Sequence, residues 1–240
     1  MNTPPEGRPL QHALAARRVR AAVVREARAP FTLEDLEIAE PRTGEILVRL
    51  RGTGICHTDL VCRDGFPVPL PIVLGHEGAG IVAAVGAGVS HLKVGDAVVM
   101  SFDSCGACAN CAAHQPAYCF NFFPLNFAGQ RLDDGSTPLR RGDEKVHGHF
   151  FDQSSFASLA ITRASSAVKV AHDLPLHLLG PLGCGIQTGA GAVMNSLNLQ
   201  AGQGLAVFGG GAVGLSAVMM AKHLAAAHIV VVEPNAGRRS

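Results

Sequence analysis

The stretch 204–233, GLAVFGGGAVGLSAVMMAKHLAAAHIVVVE, runs from an apolar segment through a glycine turn and an Ala-rich segment to a second apolar segment. That order predicts strand, turn, helix and strand, the unit of a parallel α/β sheet. Within the turn, Gly209-x-Gly211-x-x-Gly214 gives each glycine its own task. The first permits the tight turn, the second lets a pyrophosphate approach the backbone, and the third lets the helix pack on the strand, with the phosphates at the helix N-terminus. A lone glycine motif carries little weight; here a strand precedes it, a helix follows it, and Glu233 closes the next strand. Glu233 is expected to accept hydrogen bonds from an adenosine ribose and to repel a 2′-phosphate, which favours NAD over NADP.

Toward the N-terminus the pattern changes. Residues 175–197, PLHLLGPLGCGIQTGAGAVMNSL, have helix-like apolar spacing with small residues, whereas the chain from about Val19 to Val170 reads as short strands broken by Gly and Pro. A mostly antiparallel β domain over 19–174 and the first part of an α/β nucleotide-binding domain over 175–240 are expected, with the boundary near Pro175. Residues 1–18 read as a disordered extension or an early start codon, with an organellar transit segment as the other reading.

The composition fits a globular chain: 240 residues, 48% hydrophobic, formal net charge +1. No long run of either charge suggests a nucleic-acid groove or a basic membrane surface, and no stretch is apolar enough to span a bilayer. A small-molecule ligand is expected. The seven cysteines are odd in number and tightly clustered, which suits metal binding in a reducing compartment, by default the cytoplasm, better than a secreted disulfide framework.

In CGACANCAAHQPAYC, Cys105, Cys108, Cys111 and Cys119 have the spacing C-x2-C-x2-C-x7-C. Four thiolates on one short lobe can close tetrahedrally around zinc, each at about 2.3 Å, leaving no position for substrate. A structural zinc lobe over 105–119 is therefore expected. Two other stretches, GTGICHTDL at 52–60 and LGHEGAG at 74–80, each set a metal-ligand type beside an acid, Cys56 with Asp59 and His76 with Glu77, in Gly-bracketed turns at strand ends. Cys184 is a third candidate ligand.

Taken together and in this order, GICHTDL, GHEGAG, the four-cysteine lobe, LGCGIQTGAGAV and VFGGGAVGL resemble the zinc-dependent medium-chain alcohol dehydrogenases over about residues 19–240. HFFDQSSFA and GPLGCGIQTGAGAVMNSL are most similar to the aryl-alcohol (benzyl-alcohol) dehydrogenase branch. The resemblance implies a GroES-like catalytic domain followed by a Rossmann domain, two zinc ions per chain, and oxidation of a primary, aromatic alcohol with NAD. It assigns the catalytic zinc to Cys56, His76 and Cys184, a fourth position staying open for water or alcohol oxygen. Asp59 would orient His76, and Glu77 would lie behind the metal. Thr58 matches the hydroxyl that accepts the substrate proton. Val61 stands where many members carry a histidine that continues the relay, so His57 becomes the candidate exit; a contact to the cofactor phosphates is its equal alternative. Phe102, Phe150 and Phe151 match substrate-pocket positions. Thr188 and Val213 match positions beside the nicotinamide, and Arg238 one beside the ribose.

Family members have four further strands after the second Rossmann strand, a segment returning to the catalytic domain, and a dimer formed through the last of those strands. An incomplete Rossmann unit is therefore expected here. The alternatives to an active enzyme of this kind are an inactive zinc-binding fragment and a glutathione-dependent formaldehyde dehydrogenase type.

Overall fold

The computed structural model describes residues 17–239. In chain order its strands are β1 (Arg17–Val24), β2 (Thr32–Ile38), β3 (Glu45–Thr53), β4 (Ile72–Val73), β5 (Gly78–Val85), β6 (Ala97–Met100), β7 (Leu139–Arg141), β8 (Glu144–Val146), β9 (Leu159–Arg163), β10 (Ala167–Lys169), β11 (Gly204–Phe208) and β12 (His228–Val232). The helices are α1 (His57–Asp64), α2 (Ala109–Ala112), α3 (Phe122–Phe127), α4 (Gly185–Gly191), α5 (Ala212–His223) and α6 (Ala236–Arg239). Of the expected extension over 1–18, residues 1–16 lie outside the described residues, while Arg17 and Arg18 open β1.

Two antiparallel sheets, ordered β4-β1-β2-β7-β8 and β10-β6-β5-β3-β9, form the first unit. Period-two alternation decides which face each strand buries. In β1, Val19, Ala21 and Val23 point into the core while Arg18 and Arg20 face solvent. Strand β3 opens with four buried residues in a row, Glu45 to Val48, because it is covered on both faces. Leu47 joins Val19, Leu36 and Ile161 in the core between the sheets, and Ile46 and Val48 join Val82, Val98 and Met100 on the other side. Each such side chain contributes about 1.5–3 kcal/mol by leaving water, so β3 ties the two cores into one body.

The α/β unit follows. Strands β11 and β12 pair in parallel from Gly204 opposite His228 to Phe208 opposite Val232, with α5 crossing over between them. Leu205, Ile229 and Ala221 pack with Val193 and Leu199. The 175–197 segment becomes regular helix only from Gly185, after short turns at 176–178 and 180–183 that end on Cys184 with φ −143° and ψ −86°. No helix among the described residues is long and apolar enough to cross a membrane.

Two elements depart from the sequence expectation. The β7–β8 hairpin, closed by Gly142 at φ 59°, has only one buried residue per strand, Leu139 and Val146, too few to show a period. The 52–60 stretch, expected as a turn at a strand end, instead starts an eight-residue helix with Cys56 as its N-cap.

One ion pair bridges the first unit. Arg131 donates from Nε and Nη2 to both Glu45 carboxylate oxygens, at 2.6 and 2.9 Å, with both side chains under one tenth exposed. Burial pushes the Glu45 carboxyl up, but Arg131 and the Arg42 amide hold it below its ordinary value. Arg131→Met leaves a buried carboxylate without its partner and is expected to lower unfolding free energy by about 3–5 kcal/mol. Arg140→Met, removing the exposed partner of Glu37, is expected to cost less than about 1 kcal/mol. Urea denaturation of the two variants checks the contrast.

Candidate functional site

The candidate centre gathers at the junction of the two units. Helix α1 brings Cys56 and Asp59, the approach to β5 brings His76, and the segment before α4 brings Cys184. That segment lies so close to β6 that a Cβ on Gly183 would stand 1.9 Å from the Met100 carbonyl oxygen, which only glycine allows.

The two Sγ atoms and a His76 ring nitrogen lie within 4.8 Å of one another. Asp59 has no exposed side-chain surface and organises the ensemble. Its Oδ1 stands 2.9 Å from His76 Nδ1 and accepts the Gly75 amide at 3.0 Å, while Oδ2 accepts the Cys56 amide at 2.9 Å. With Nδ1 committed to Asp59, His76 turns Nε2 away, and that buried atom has no hydrogen-bond partner. Buried polar atoms rarely go unsatisfied, so an orphaned imidazole nitrogen beside two thiols fits a metal ligand.

The protonation of the three groups is strongly coupled. The Cys56 thiol is pulled down to about 3, first by Cys184 and then by the His76 imidazole, and Cys184 is driven up, chiefly by Cys56 and by burial. Burial lowers the His76 imidazole, but Asp59 and Cys56 outweigh it and raise it to about 9. Two thiols compete for one negative charge, a conflict that a divalent cation of borderline softness removes.

Around this centre, Glu77 is buried and its Oε1 accepts the Gly185 amide at 3.1 Å, next to Cys184. The Thr58 hydroxyl lies 3.8 Å from Cys56 Sγ, and His57 is exposed at the start of α1. Phe151 stacks on the His76 ring with centroids 4.4 Å apart, and Phe102 meets Phe122, which meets Phe151. Phe150 differs from the expectation of a pocket wall. It is fully buried against Val24, Cys62, Ile72 and Leu74, so it supports Phe151 from behind.

The cysteine lobe is a second, separate cluster. Sγ atoms of Cys105, Cys108, Cys111 and Cys119 lie within 4.8 Å of one another, and all seven cysteines are free. Amides point at the sulfurs: Cys108 N–H to Cys105 Sγ and Cys105 N–H to Cys119 Sγ at 3.3 Å, and Asn121 N–H to Cys119 Sγ at 3.4 Å. The amides of Ala107 and Cys108 pull the Cys105 thiol down to about 6. Burial and the neighbouring sulfurs push the Cys111 thiol up to about 11, so the amides favour thiolate at some of the four positions and not at all of them.

In the α/β unit the glycine turn has the geometry its three positions need. Gly209 adopts φ 105°, Gly211 has open space where a Cβ would stand, and a Cβ on Gly214 would meet the Gly209 carbonyl oxygen at 1.9 Å. Glu233 ties the turn to β12, its Oε2 accepting the Gly210 amide at 2.7 Å and Oε1 the Asn235 amide at 2.8 Å; these amides hold its carboxyl below its ordinary value. Arg238 Nη1 lies 3.9 Å from Glu233 Oε2. The Thr188 hydroxyl donates to the Cys184 carbonyl at 2.8 Å, and Val213 is exposed near Gly185.

Sequence reasoning missed Gln153 and Ser101, which lie against the His76 and Gly183 backbones. The signal was present as the polar run Asp152–Ser155 within an apolar stretch, every member of it buried.

A half-barrel of antiparallel sheets joined to a nucleotide-type βαβ unit, with a three-ligand centre between them and a four-thiol lobe beside it, is the architecture of a medium-chain dehydrogenase. The family model of the alcohol dehydrogenase GroES-like domain matches residues 42–172, and the chain belongs to this family. It is 56% identical over 220 residues to a geraniol dehydrogenase of Castellaniella defragrans, covering 92% of this chain and 59% of that one. Among solved structures it resembles an alcohol dehydrogenase zinc-binding domain protein from Burkholderia ambifaria (TM-score 0.91, 55% identity, 93% of this chain and 61% of that one). It also resembles a benzyl alcohol dehydrogenase from Acinetobacter calcoaceticus (TM-score 0.87, 47% identity, 92% and 60%). The chain spans about three fifths of the length of these relatives.

Asp59→Ala leaves two buried donors and one half-buried donor without acceptors, and each of the buried two is expected to cost about 1–3 kcal/mol. Asp59→Asn, which keeps an accepting oxygen, is expected to lose less than half as much. Thermal unfolding of both variants, with the wild type alongside, reads the difference.

Proposed function

We propose that the protein is a zinc-dependent oxidoreductase that interconverts a primary alcohol and its aldehyde with a nicotinamide dinucleotide. The observation that carries this reading is the buried, partnerless Nε2 of His76 facing two thiols. Cys56, His76 and Cys184 would hold one zinc ion, and Cys105, Cys108, Cys111 and Cys119 a second, giving two per chain. The first ion, when bound, supplies Lewis acidity at an alcohol oxygen, and the nicotinamide takes up or returns hydride.

The remaining work belongs to the chain. Asp59 accepts the Nδ1 proton of His76 and so keeps the Nε2 lone pair directed at the centre. Thr58, one residue from α1's cap, receives the alcohol proton, and His57 at the exposed helix start passes it to solvent or contacts the cofactor phosphates. Phe151, braced by Phe150, and Phe102 line an apolar wall that excludes water and favours a planar or unsaturated alcohol by stacking. The similarity to a benzyl alcohol dehydrogenase and a geraniol dehydrogenase supports that substrate class.

Gly209, Gly211 and Gly214 would receive the pyrophosphate at the start of α5, with Thr188 and Val213 beside the nicotinamide. Glu233 and Arg238 would face the adenosine ribose. An ionised Glu233, stabilised by two amides, opposes a 2′-phosphate, and this favours NAD over NADP. The catalytic domain would end near Pro175, where the antiparallel sheets give way to helix, and the nucleotide domain would begin there.

Metal analysis and an absorbance assay of hydride transfer test the proposal. Two zinc ions per chain are expected, falling to one in Cys56→Ser, and oxidation of benzyl alcohol and geraniol is expected with NAD in preference to NADP. Thr58→Val should slow that oxidation by about 10²–10⁴-fold while Thr58→Ser retains most of it, since only the hydroxyl is needed. Wild-type protein holding both metals and NAD but oxidising no alcohol would rule out the reading.

A further inference from the structure

The segment 149–154, HFFDQS, takes a path that its residues do not favour. Four non-glycine residues in it are left-handed: His149 (φ 56°), Phe151 (49°), Asp152 (57°) and Ser154 (49°). Side chains other than glycine crowd the backbone there, so specific contacts must hold the turn. Some tie it to neighbouring strands: Ser154 Oγ accepts the Phe150 amide and donates to the Val73 carbonyl, while Asp152 Oδ2 accepts the Thr162 hydroxyl and the Arg163 amide.

Others reach the metal centre. The turn lays the Phe151 ring on His76 and sends the Gln153 carboxamide, 1% exposed, to the His76 backbone. Gln153 Oε1 accepts the Gly78 amide at 3.0 Å, and Nε2 donates to the His76 carbonyl at 3.0 Å and to the Ser101 carbonyl at 3.3 Å. From Ser101 the chain of bonds continues, because its hydroxyl donates at 2.9 Å to the carbonyl of Gly183, the residue before Cys184. Gln187 Nε2 closes on the Ser101 hydroxyl at 3.0 Å and also donates to the Gly183 carbonyl.

His76 precedes β5 and Cys184 precedes α4, so no strand ladder or helix sets the spacing of these two ligands. Close backbone packing of Gly180 on the Glu77 carbonyl and of Gly183 on the Met100 carbonyl sets part of it, and two side-chain links complete it. Glu77 holds the amide of Gly185 on one flank of Cys184, and the Gln153–Ser101 chain holds the Gly183 carbonyl on the other. We propose that Gln153 and Ser101 are positioning residues that form one hydrogen-bonded bracket, fixing the distance between His76 and Cys184 in the three-ligand zinc site. The proposal rests on the zinc reading of that site given above. Every polar atom of the Gln153 carboxamide is used in it, which explains why a polar side chain is buried beneath an aromatic wall.

The test is chelator-driven zinc release from the two-zinc protein, with the release phases assigned by Cys56→Ser, which lacks the three-ligand site. Gln153→Met, nearly equal in volume and without polar hydrogens, and Ser101→Ala should each speed release from the three-ligand site by about tenfold or more. Release from the Cys105–Cys119 lobe should stay within twofold. Cobalt-substituted protein should show a shifted thiolate-to-metal absorption band for the three-ligand site alone. The double variant should be no faster than the faster single variant, because both changes open one bracket.

Equal acceleration at both sites, or no change beyond twofold at the three-ligand site, overturns the proposal. Ser101→Ala removes only one hydroxyl, so the test stays readable if Gln153→Met does not fold. A wild-type protein that holds one zinc instead of two overturns the zinc reading itself, an outcome distinct from failure of the bracket.

Discussion

A carboxylate with no exposed surface, Asp59, is the constraint on which the centre depends. Burying an isolated charge is costly, and a protein that does so must surround the charge with donors. Asp59 has three: the backbone amides of Cys56 and Gly75 and the imidazole of His76. Those three donors belong to the two loops that carry the first two ligands. One side chain therefore fixes the cap of α1, the bend before β5 and the rotation of the His76 ring. The site's shape is a by-product of solvating one buried anion.

The same logic separates the two cysteine clusters. In the lobe, backbone amides donate to Cys105 and Cys119, the four sulfurs lie within 4.8 Å of one another, and α2 has no buried residue. Such a lobe has almost no core of its own, and a metal bound there would supply its folding free energy. The three-ligand centre is the reverse. It is carried by elements that already pack in cores with Cys62, Leu74 and Phe150, and its geometry is set by hydrogen bonds outside the ligand atoms. A closed cluster made by proximity in sequence is suited to a structural ion. An open one made by tertiary convergence, with Phe151 stacked on its imidazole, would suit an ion that also meets substrate.

This contrast explains what could be read from the chain. The four-cysteine spacing, the glycine turn with Glu233, and the order of the Cys56, His76 and Cys184 motifs are local patterns, and the fold brings each set together. Alternating burial in β1 was visible as period two, and β11, α5 and β12 follow the apolar, glycine and alanine runs. The β7–β8 hairpin was not legible, since two three-residue strands hold too few apolar positions to show a period. Helix α1 was hidden because its first turn, His57-Thr58-Asp59, is polar and begins at a cysteine, which is not a common cap.

Gln153 was hidden for a different reason. Its role has no sequence spacing, since its partners stand 77, 75 and 52 residues away and are backbone carbonyls and an amide, which almost any residue type provides. Periodicity identifies which face a residue occupies, and ligand spacing identifies which atoms can meet a metal, but neither identifies what holds two distant loops apart. The polar run Asp152–Ser155 was the one trace, because four buried polar side chains in succession must find partners around them. Asp152, Gln153 and Ser154 find them in the main chain of the half-barrel, at Val73, His76, Ser101 and Arg163, and Ser155 meets the Thr53 hydroxyl. The left-handed backbone of 149–154 follows from this demand: a turn that must deliver an aromatic ring to the face of His76 and an amide to its carbonyl cannot also keep relaxed dihedral angles.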